Sequence, residues 1–510
     1  MAAVSGVVLA FALALAGCSA PAGGDSGGGG GSDGTLTLGN AVVPASLAPS
    51  AAAWANQAPY LQAVYDSLLH ETPDLGIEPW LATSWSYNDD KTVLTLKLRD
   101  DVTFTDGTPF TADVAAQNLI RFRDGTSSLR SYLALMTSAE AVDAHTLRIT
   151  LSEPNPALLT YLSGVAGLQA SPATFSAADE ATHPVGSGPY LLDSDRTVIG
   201  STYVYTRNEN YWAPQIQHYG TVVINVYQTT STQLNAIQSR QVNGVSLLDN
   251  SAIAQVEGAG YTTESQVLNF QGLLLFDRDG TITPALKDVR VRRAINHAID
   301  RDAMLKAVGN GLGEPTTQIF RSTDAASYDP ALDDEYPYDP AKAKDLLAEA
   351  GHPNGFRVTI PQVATGSTAL YDLVKQYLGA VGITVDYVNE PPNNLLADVA
   401  GAKFSIVASL PLQTDATAWQ VANFKLLPKA TWNPFHTEDE TVTRLAHTVQ
   451  TGSEEEAARA GKELNRYIVE QAWFAPWYRP QLTFAVDADT SVVVQQDNAY
   501  PYLWNITPKS

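Results

Sequence analysis

Three short stretches of this chain hold residue types that could do chemistry, and their surroundings decide between them. His70-Glu71 opens like a zinc-hydrolase helix, but no second histidine follows at the required spacing and Pro73 would break that helix. Gly30-Gly31-Ser32-Asp33-Gly34 spells the G-x-S-x-G of a nucleophile elbow, which needs a strand before it and a helix after it. A glycine tract surrounds it here, so the match is chance. The eight histidines are scattered without ligand spacing, so no metal site is expected. No phosphate-binding glycine loop is present, and no cofactor is expected. What remains is Cys18, the single cysteine of 510 residues. A core thiol would sit in a periodic strand or helix, and a nucleophile needs a basic partner folded beside it. Cys18 runs straight into Ser19-Ala20-Pro21 and glycines, which fits neither role.

The residues before Cys18 suggest a third role. An apolar run over residues 7–16 ends in Leu15-Ala16-Gly17-Cys18. The run has the length of a signal-peptide core, falls short of spanning a bilayer of roughly 30 Å, and closes on small residues as a cleavage site must. It resembles the lipobox of bacterial lipoproteins, which implies that Cys18 is acylated and becomes the mature N-terminus. Residues 1–17 are then the signal peptide, and residues 18–34, rich in Gly and Ser, a flexible linker between anchor and body. No Lys or Arg precedes Lys91, so the positive start of such a signal is missing from this stretch. Either the start codon lies upstream or the N-terminal amine supplies the charge.

Composition bounds the rest. A chain of 510 residues exceeds what one hydrophobic core supports, so two or more lobes are expected. The 31 Lys and Arg are outnumbered by 54 Asp and Glu, giving a net charge of −23. That balance excludes nucleic acid as a partner and disfavours adhesion to anionic lipid heads, so attachment to a membrane has to be covalent. With one cysteine there is no internal disulfide, and packing alone must hold the fold.

Elements that could carry a site follow from periodicity. Residues 93–99 alternate, with Leu94, Leu96 and Leu98 on one face, and Leu147, Ile149 and Leu151 repeat the pattern. Between them Thr111 is placed to cap a helix through Val114, Ala115, Leu119 and Phe122. Tyr60, Leu61, Val64, Leu68 and Leu69 predict a helix over 60–69, and Val291 to Leu305 a single long one starting near Asp288. Asp339-Pro340 starts another, which Gly351 ends; the helix through Leu370 and Leu378 stops at Gly382 and passes directly into a strand at 383–387. Ser453 with Glu456 makes a capping box for a late helix, with strand-like segments beyond it at 482–486 and 492–494. Strands alternating with amphipathic helices make this an α/β protein.

Specific runs sharpen that class. Glu78-Pro79-Trp80-Leu81, Leu96-Lys97-Leu98-Arg99, Phe104-Thr105-Asp106-Gly107, Gly186-Ser187-Gly188-Pro189-Tyr190, Asn210-Tyr211-Trp212, the Asp288 to Arg301 stretch and Tyr338-Asp339-Pro340 occur in order. This series resembles the family 5 extracellular solute-binding proteins, the peptide- and nickel-type binding components of ABC importers. Each run also has a purely structural meaning: turns at Asp106-Gly107 and Gly186 to Pro189, and one solvated and one packed helix face over Arg290 to Arg301. The motifs therefore speak for fold more than for ligand.

The resemblance implies a two-lobed, class II-type periplasmic-binding-protein-like α/β fold with an extra subdomain in lobe 1. Expected bounds are 35–270 for lobe 1 with its subdomain at about 59–180, 271–476 for lobe 2, and a return to lobe 1 over 477–510. It implies a monomeric, extracytoplasmic protein, not an enzyme, that encloses a small ligand, a peptide above all, and passes it to importer permease subunits. Peptide binders of the family carry a Trp and an Asp after a late strand, the Asp pairing with the ligand's ammonium; here the Trp is missing and Asp415 fits the slot. Trp419, Trp432 and Trp54 are the expected aromatic walls, with core packing as their alternative role. An oligosaccharide or metal-chelate ligand, a surface receptor without transport, and an exported hydrolase are the competing expectations.

Overall fold

The computed structural model describes residues 34–363, 367–408, 412–413 and 417–509. The first lobe is built on Thr35–Asn40, whose Leu36 and Leu38 are fully buried. This strand lies between two parallel neighbours, Thr221–Val226 and Gly244–Ser246, with Leu38 level with Ile224 and with Gly244. Thr202–Arg207 and Tyr190–Leu192 extend the sheet antiparallel. A four-stranded antiparallel sheet in the order Ala82–Tyr87, Val93–Leu98, Thr146–Leu151, Met136–Asp143 forms a separate layer. Ala112–Asp124, whose Thr111 cap accepts from the Val114 amide, buries Leu119 and Phe122 in the same core.

In the second lobe Arg357–Gln362 and Thr384–Asn389 run parallel, joined by the helix Thr368–Ala380. That unit packs with the helices Val289–His297 and Arg301–Val308 around Ile295, Val374 and Trp477. The late helices Glu440–Thr451 and Glu454–Glu470 form a hairpin, and the Ser453/Glu456 capping box is present. No helix of the described residues is long and apolar enough to cross a membrane.

The two lobes share one strand. Phe474–Val486 is 13 residues long, roughly 40 Å at 3.3 Å per residue. Along one edge it pairs antiparallel with Asn269–Leu275 in lobe 2 and Thr262–Val267 in lobe 1; along the other it meets Gly313–Pro315 and Gly244–Ser246. Pro476 lies inside this strand, which a proline tolerates only at a bulge or an edge. The bulge is there, between Gln271 and Gly272, and a Cβ on Gly272 would stand 2.5 Å from Pro476 Cα.

Four expectations change. The single helix from Asp288 to Leu305 is two, because Asp300 turns outward and caps the second by accepting from the Ala303 amide. The helix over 60–69 ends at Gln62, and Leu69 starts the strand Leu69–Glu71. The segment 482–486 is only the end of the crossing strand. The stretch of arginines is no simple solvated and packed pair of faces: Arg292 and Arg301 are buried, and Arg301 donates to the carbonyls of Thr316, Pro476, Asn296 and Tyr336 at 2.8–3.2 Å. Buried guanidiniums need such acceptors, and here they tie the helix pair to the crossing strand.

Candidate functional site

In open α/β sheets the loops beyond the carboxyl ends of the strands are where ligands are held. Gly244–Ser246 of lobe 1 and Ile406–Ala408 of lobe 2 both end at one groove of about 350 Å³. Its floor is the crossing strand and its neighbour Asn269–Leu275, represented by Tyr478 and Gln271. Leu248, Asp249 and Asn250 form the wall from lobe 1, and Asn310, Tyr371 and Ala408 that from lobe 2.

The floor is polar and fixed. Tyr478 donates its hydroxyl to Gln271 Oε1 at 2.5 Å, and burial holds that phenol far above its ordinary pKa, so it stays a donor. The walls are joined by Asn310 Nδ2, which donates to Asp249 Oδ1 at 3.3 Å, and Asn250 Nδ2 ties the lobe 1 wall to the crossing strand by donating to the Gln481 carbonyl at 2.6 Å. Asp249 also caps the turn Asn250–Ala252 by accepting from the Ser251 amide at 2.8 Å. Leu248 is 45% exposed there, leaving apolar surface for a ligand to cover.

A second contact between the lobes lies farther out. Trp419 Nε1 donates to Asn155 Oδ1 at 3.3 Å, Gln450 Nε2 to the Pro154 carbonyl at 2.9 Å, and Phe424 packs edge-on to Tyr132 at 5.3 Å. Trp419 is 4% exposed and belongs to the core. Trp432 is half-buried on the same segment, its amide bonded to the Phe424 carbonyl. Trp54 is half-buried in lobe 1, edge-on to Tyr502 at 6.0 Å. None of the three tryptophans lines the groove at the strand ends. Asp415 and Cys18 lie outside the described residues.

What sequence reasoning missed is a carboxylate at the heart of lobe 1. Asp66, 3% exposed, accepts from Tyr211 Oη at 2.7 Å and Trp80 Nε1 at 2.9 Å through Oδ1, and from Ser187 Oγ at 2.8 Å and Trp212 Nε1 at 3.0 Å through Oδ2. Burial pushes its carboxyl above the ordinary value, and the four donors pull it back. The donors come from three of the motifs, and Arg99 of a fourth lies 4.2 Å over the Trp212 ring. Gly186 explains its own glycine: a Cβ there would be 2.1 Å from the Val64 carbonyl oxygen. The only local signal was an acid amid apolar residues, in Tyr65-Asp66-Ser67-Leu68.

The motifs thus converge on structure, and the whole-chain comparisons fit them. Residues 76–427 match the family described as bacterial extracellular solute-binding proteins, family 5 Middle. The chain belongs to this family. Among curated proteins, the glutathione-binding protein GsiB of Escherichia coli K12 is 28% identical over 354 residues, covering 66% of each chain. The match therefore spans about two thirds of the length of such relatives. This family 5 protein also shares its two-lobed fold with solved structures. The periplasmic binding protein DppA of Helicobacter pylori, in complex with the peptide STSA, aligns with a TM-score of 0.80 at 21% identity over 94% of this chain and 98% of that one. NikA of Brucella suis, in complex with Fe(III)-EDTA, aligns with a TM-score of 0.80 at 23% identity over 94% and 100%. At these identities the likeness speaks for the fold alone.

Proposed function

We propose that the protein captures a small solute, a peptide above all, between its lobes and delivers it to the permease of an ABC importer. The observation that carries this reading is the groove where strand ends of both lobes meet over the crossing strands. A ligand there touches both lobes and stabilises their closed arrangement by its differential contacts. Micromolar affinity corresponds to about 8 kcal/mol, which a few hydrogen bonds and one apolar contact supply once the cost of closure is met. The peptide assignment draws on the names of relatives, a glutathione-binding protein and a peptide-bound DppA.

In this reading Asp415 meets the ligand's ammonium, and Trp54 and Trp432 lend partly exposed rings to the cleft. Trp419 acts through closure, by its bond to Asn155. Acylated Cys18 holds the protein at the outer face of the cytoplasmic membrane, and the Gly/Ser linker gives it reach. Thermal unfolding with di- and tripeptides, oligosaccharides and metal chelates tests the ligand class. Peptides raise Tm in proportion to log concentration above Kd. A shift with a chelate or sugar and none with any peptide would overturn the peptide assignment. Asp415→Asn weakens binding of peptides with a free amino terminus; unchanged affinity removes Asp415 from the site. Cys18→Ala releases the protein from the membrane or blocks its processing, with ligand affinity intact.

A further inference from the structure

The groove at the strand ends has a chemistry that its place in the fold does not dictate. Asp249 is the one charged residue among the described residues that line it, and no Lys, Arg or His is there. Gln271 is 6% exposed and lines the same groove. Its Oε1 is taken by the Tyr478 hydroxyl, while its Nε2 has no partner among the described residues. That amide donor opens to the groove, where a ligand carbonyl or hydroxyl is its natural acceptor. Asp249 spends Oδ1 on the Ser251 amide and Asn310; no described residue donates to Oδ2.

Resting on the peptide reading above, we propose that this groove is a charge-selective subsite: Asp249 faces an ammonium or guanidinium of the ligand, Gln271 donates to a ligand carbonyl, and carboxylate-bearing side chains are turned away. The selectivity has two sources. A ligand anion would meet a like charge with no cation among the described lining residues to offset it, whereas a ligand cation finds a carboxylate held by Ser251 and Asn310. The Asn310 bond to Asp249 crosses the hinge, so the carboxylate is best placed when the lobes are closed, and a cation there favours closure.

Titration calorimetry on Ala-Lys-Ala, Ala-Gln-Ala and Ala-Glu-Ala, which share backbone and termini, isolates the side-chain charge. The Lys peptide binds tightest and the Glu peptide weakest, with at least about tenfold between them, and the gap narrows with added salt. Asp249→Asn keeps the cap, since Asn serves as well there, and collapses the gap to about twofold. Gln271→Leu weakens all three peptides alike by about tenfold, with thermal unfolding as the control for folding. Equal affinity for the Lys and Glu peptides, or a gap unchanged in Asp249→Asn, would overturn the charge selectivity while leaving peptide binding in place. Binding of none of the three would overturn the peptide reading and this inference with it.

Discussion

Lobe 1 holds two aspartates of contrasting design. Asp66 is buried and accepts four side-chain hydrogen bonds, three of its four donors being aromatic. Asp249 lines the groove wall with one oxygen committed and the other taking no bond from any described residue. The first is surrounded by residues of the recognisable motifs; the second lies in Ser246-Leu247-Leu248-Asp249-Asn250, which matches none of them. A carboxylate saturated by the protein can hold a fold together but has nothing left for a ligand. One left half-bonded costs the fold little and can discriminate. Family signatures in this chain therefore mark where the architecture is pinned, and the residues that read a solute have to be sought at the strand ends between them.

The largest expected effect comes from emptying the saturated site. Asp66→Ala leaves two indole N–H groups and two hydroxyls without their acceptor in a dry interior, and should cost on the order of 3–5 kcal/mol in chemical unfolding. Molecules that do fold should bind ligand normally. A loss of affinity without a loss of stability would break the contrast and move Asp66 into the binding machinery.

Glu71 tests whether a buried carboxyl without that saturation behaves differently. It is 3% exposed, accepts long bonds from Gln495 Nε2 at 3.3 Å and Tyr502 Oη at 3.4 Å, and is hydrogen-bonded to the Asp497 carboxyl. Burial, and next the Asp497 carboxyl beside it, hold its carboxyl well above the usual range, with Arg321 of lobe 2 pulling weakly the other way. A carboxyl raised in the fold keeps its proton where the unfolded chain has lost one. Its contribution is therefore complete below the ordinary value and is lost as pH rises through the raised one. Glu71→Gln removes that loss: its melting temperature should exceed the wild type's increasingly from about pH 5 to about pH 9, and equal it in acid. Parallel pH profiles would show that Glu71 is ionised in the fold.

The adjacent residue has the opposite sign. His70 is stacked on Trp80 at 4.3 Å with Trp504 tilted against it at 4.1 Å, and burial lowers its pKa to about 4. The unfolded chain takes up a proton near 6.5 that the fold resists, so stability is present above that value and falls as pH drops through about 4. His70→Phe keeps the stack and should lose fewer degrees of Tm than the wild type on acidification from about pH 7 to about pH 4. Identical acid profiles would mean that the stack opens to solvent when the ring is charged.

The sequence announced this architecture unevenly, for physical reasons. Caps are local, one side chain bonding an amide three residues on, and Thr111, Asp339 and the Ser453/Glu456 pair are where their spacing put them. The alternating strands at 93–98 and 146–151 were equally plain, because one face of that sheet is buried and the other wet. The crossing strand was not, since Pro476 and Pro480 argue against a strand and only the bulge at Gly272, some two hundred residues earlier, makes room for one of them. The break before Arg301 was hidden because apolar spacing continues through Ala298 and Ile299 across the Asp300 cap, and the carbonyls that hold Arg301 beyond it are brought in by distant chain. Asp66 and Gln271 share that property: each means something only once four strands or loops have met around it. The tryptophans show the limit from the other side, because an indole looks the same in sequence whether it is buried in the core, as Trp419 is, or packs against that core only partly buried, as Trp54 and Trp432 do.

The smallest effect on the fold should come from the other aspartate, and its smallness is the point. Asp249→Asn retains the acceptor that caps Asn250–Ala252 and the partner for Asn310, while removing a charge that no cation among the described lining residues balances. Its unfolding free energy should stay within about 0.5 kcal/mol of the wild type's, roughly a tenth of the loss expected at Asp66. If instead Asp249→Asn destabilised the free protein by as much as Asp66→Ala, the carboxylate would be pinning the hinge as Asp66 pins the lobe. The difference between an architectural and a ligand-facing carboxylate would then vanish. A small stability change together with altered ligand preference is the one combination in which an acid placed for recognition differs from an acid placed for the fold.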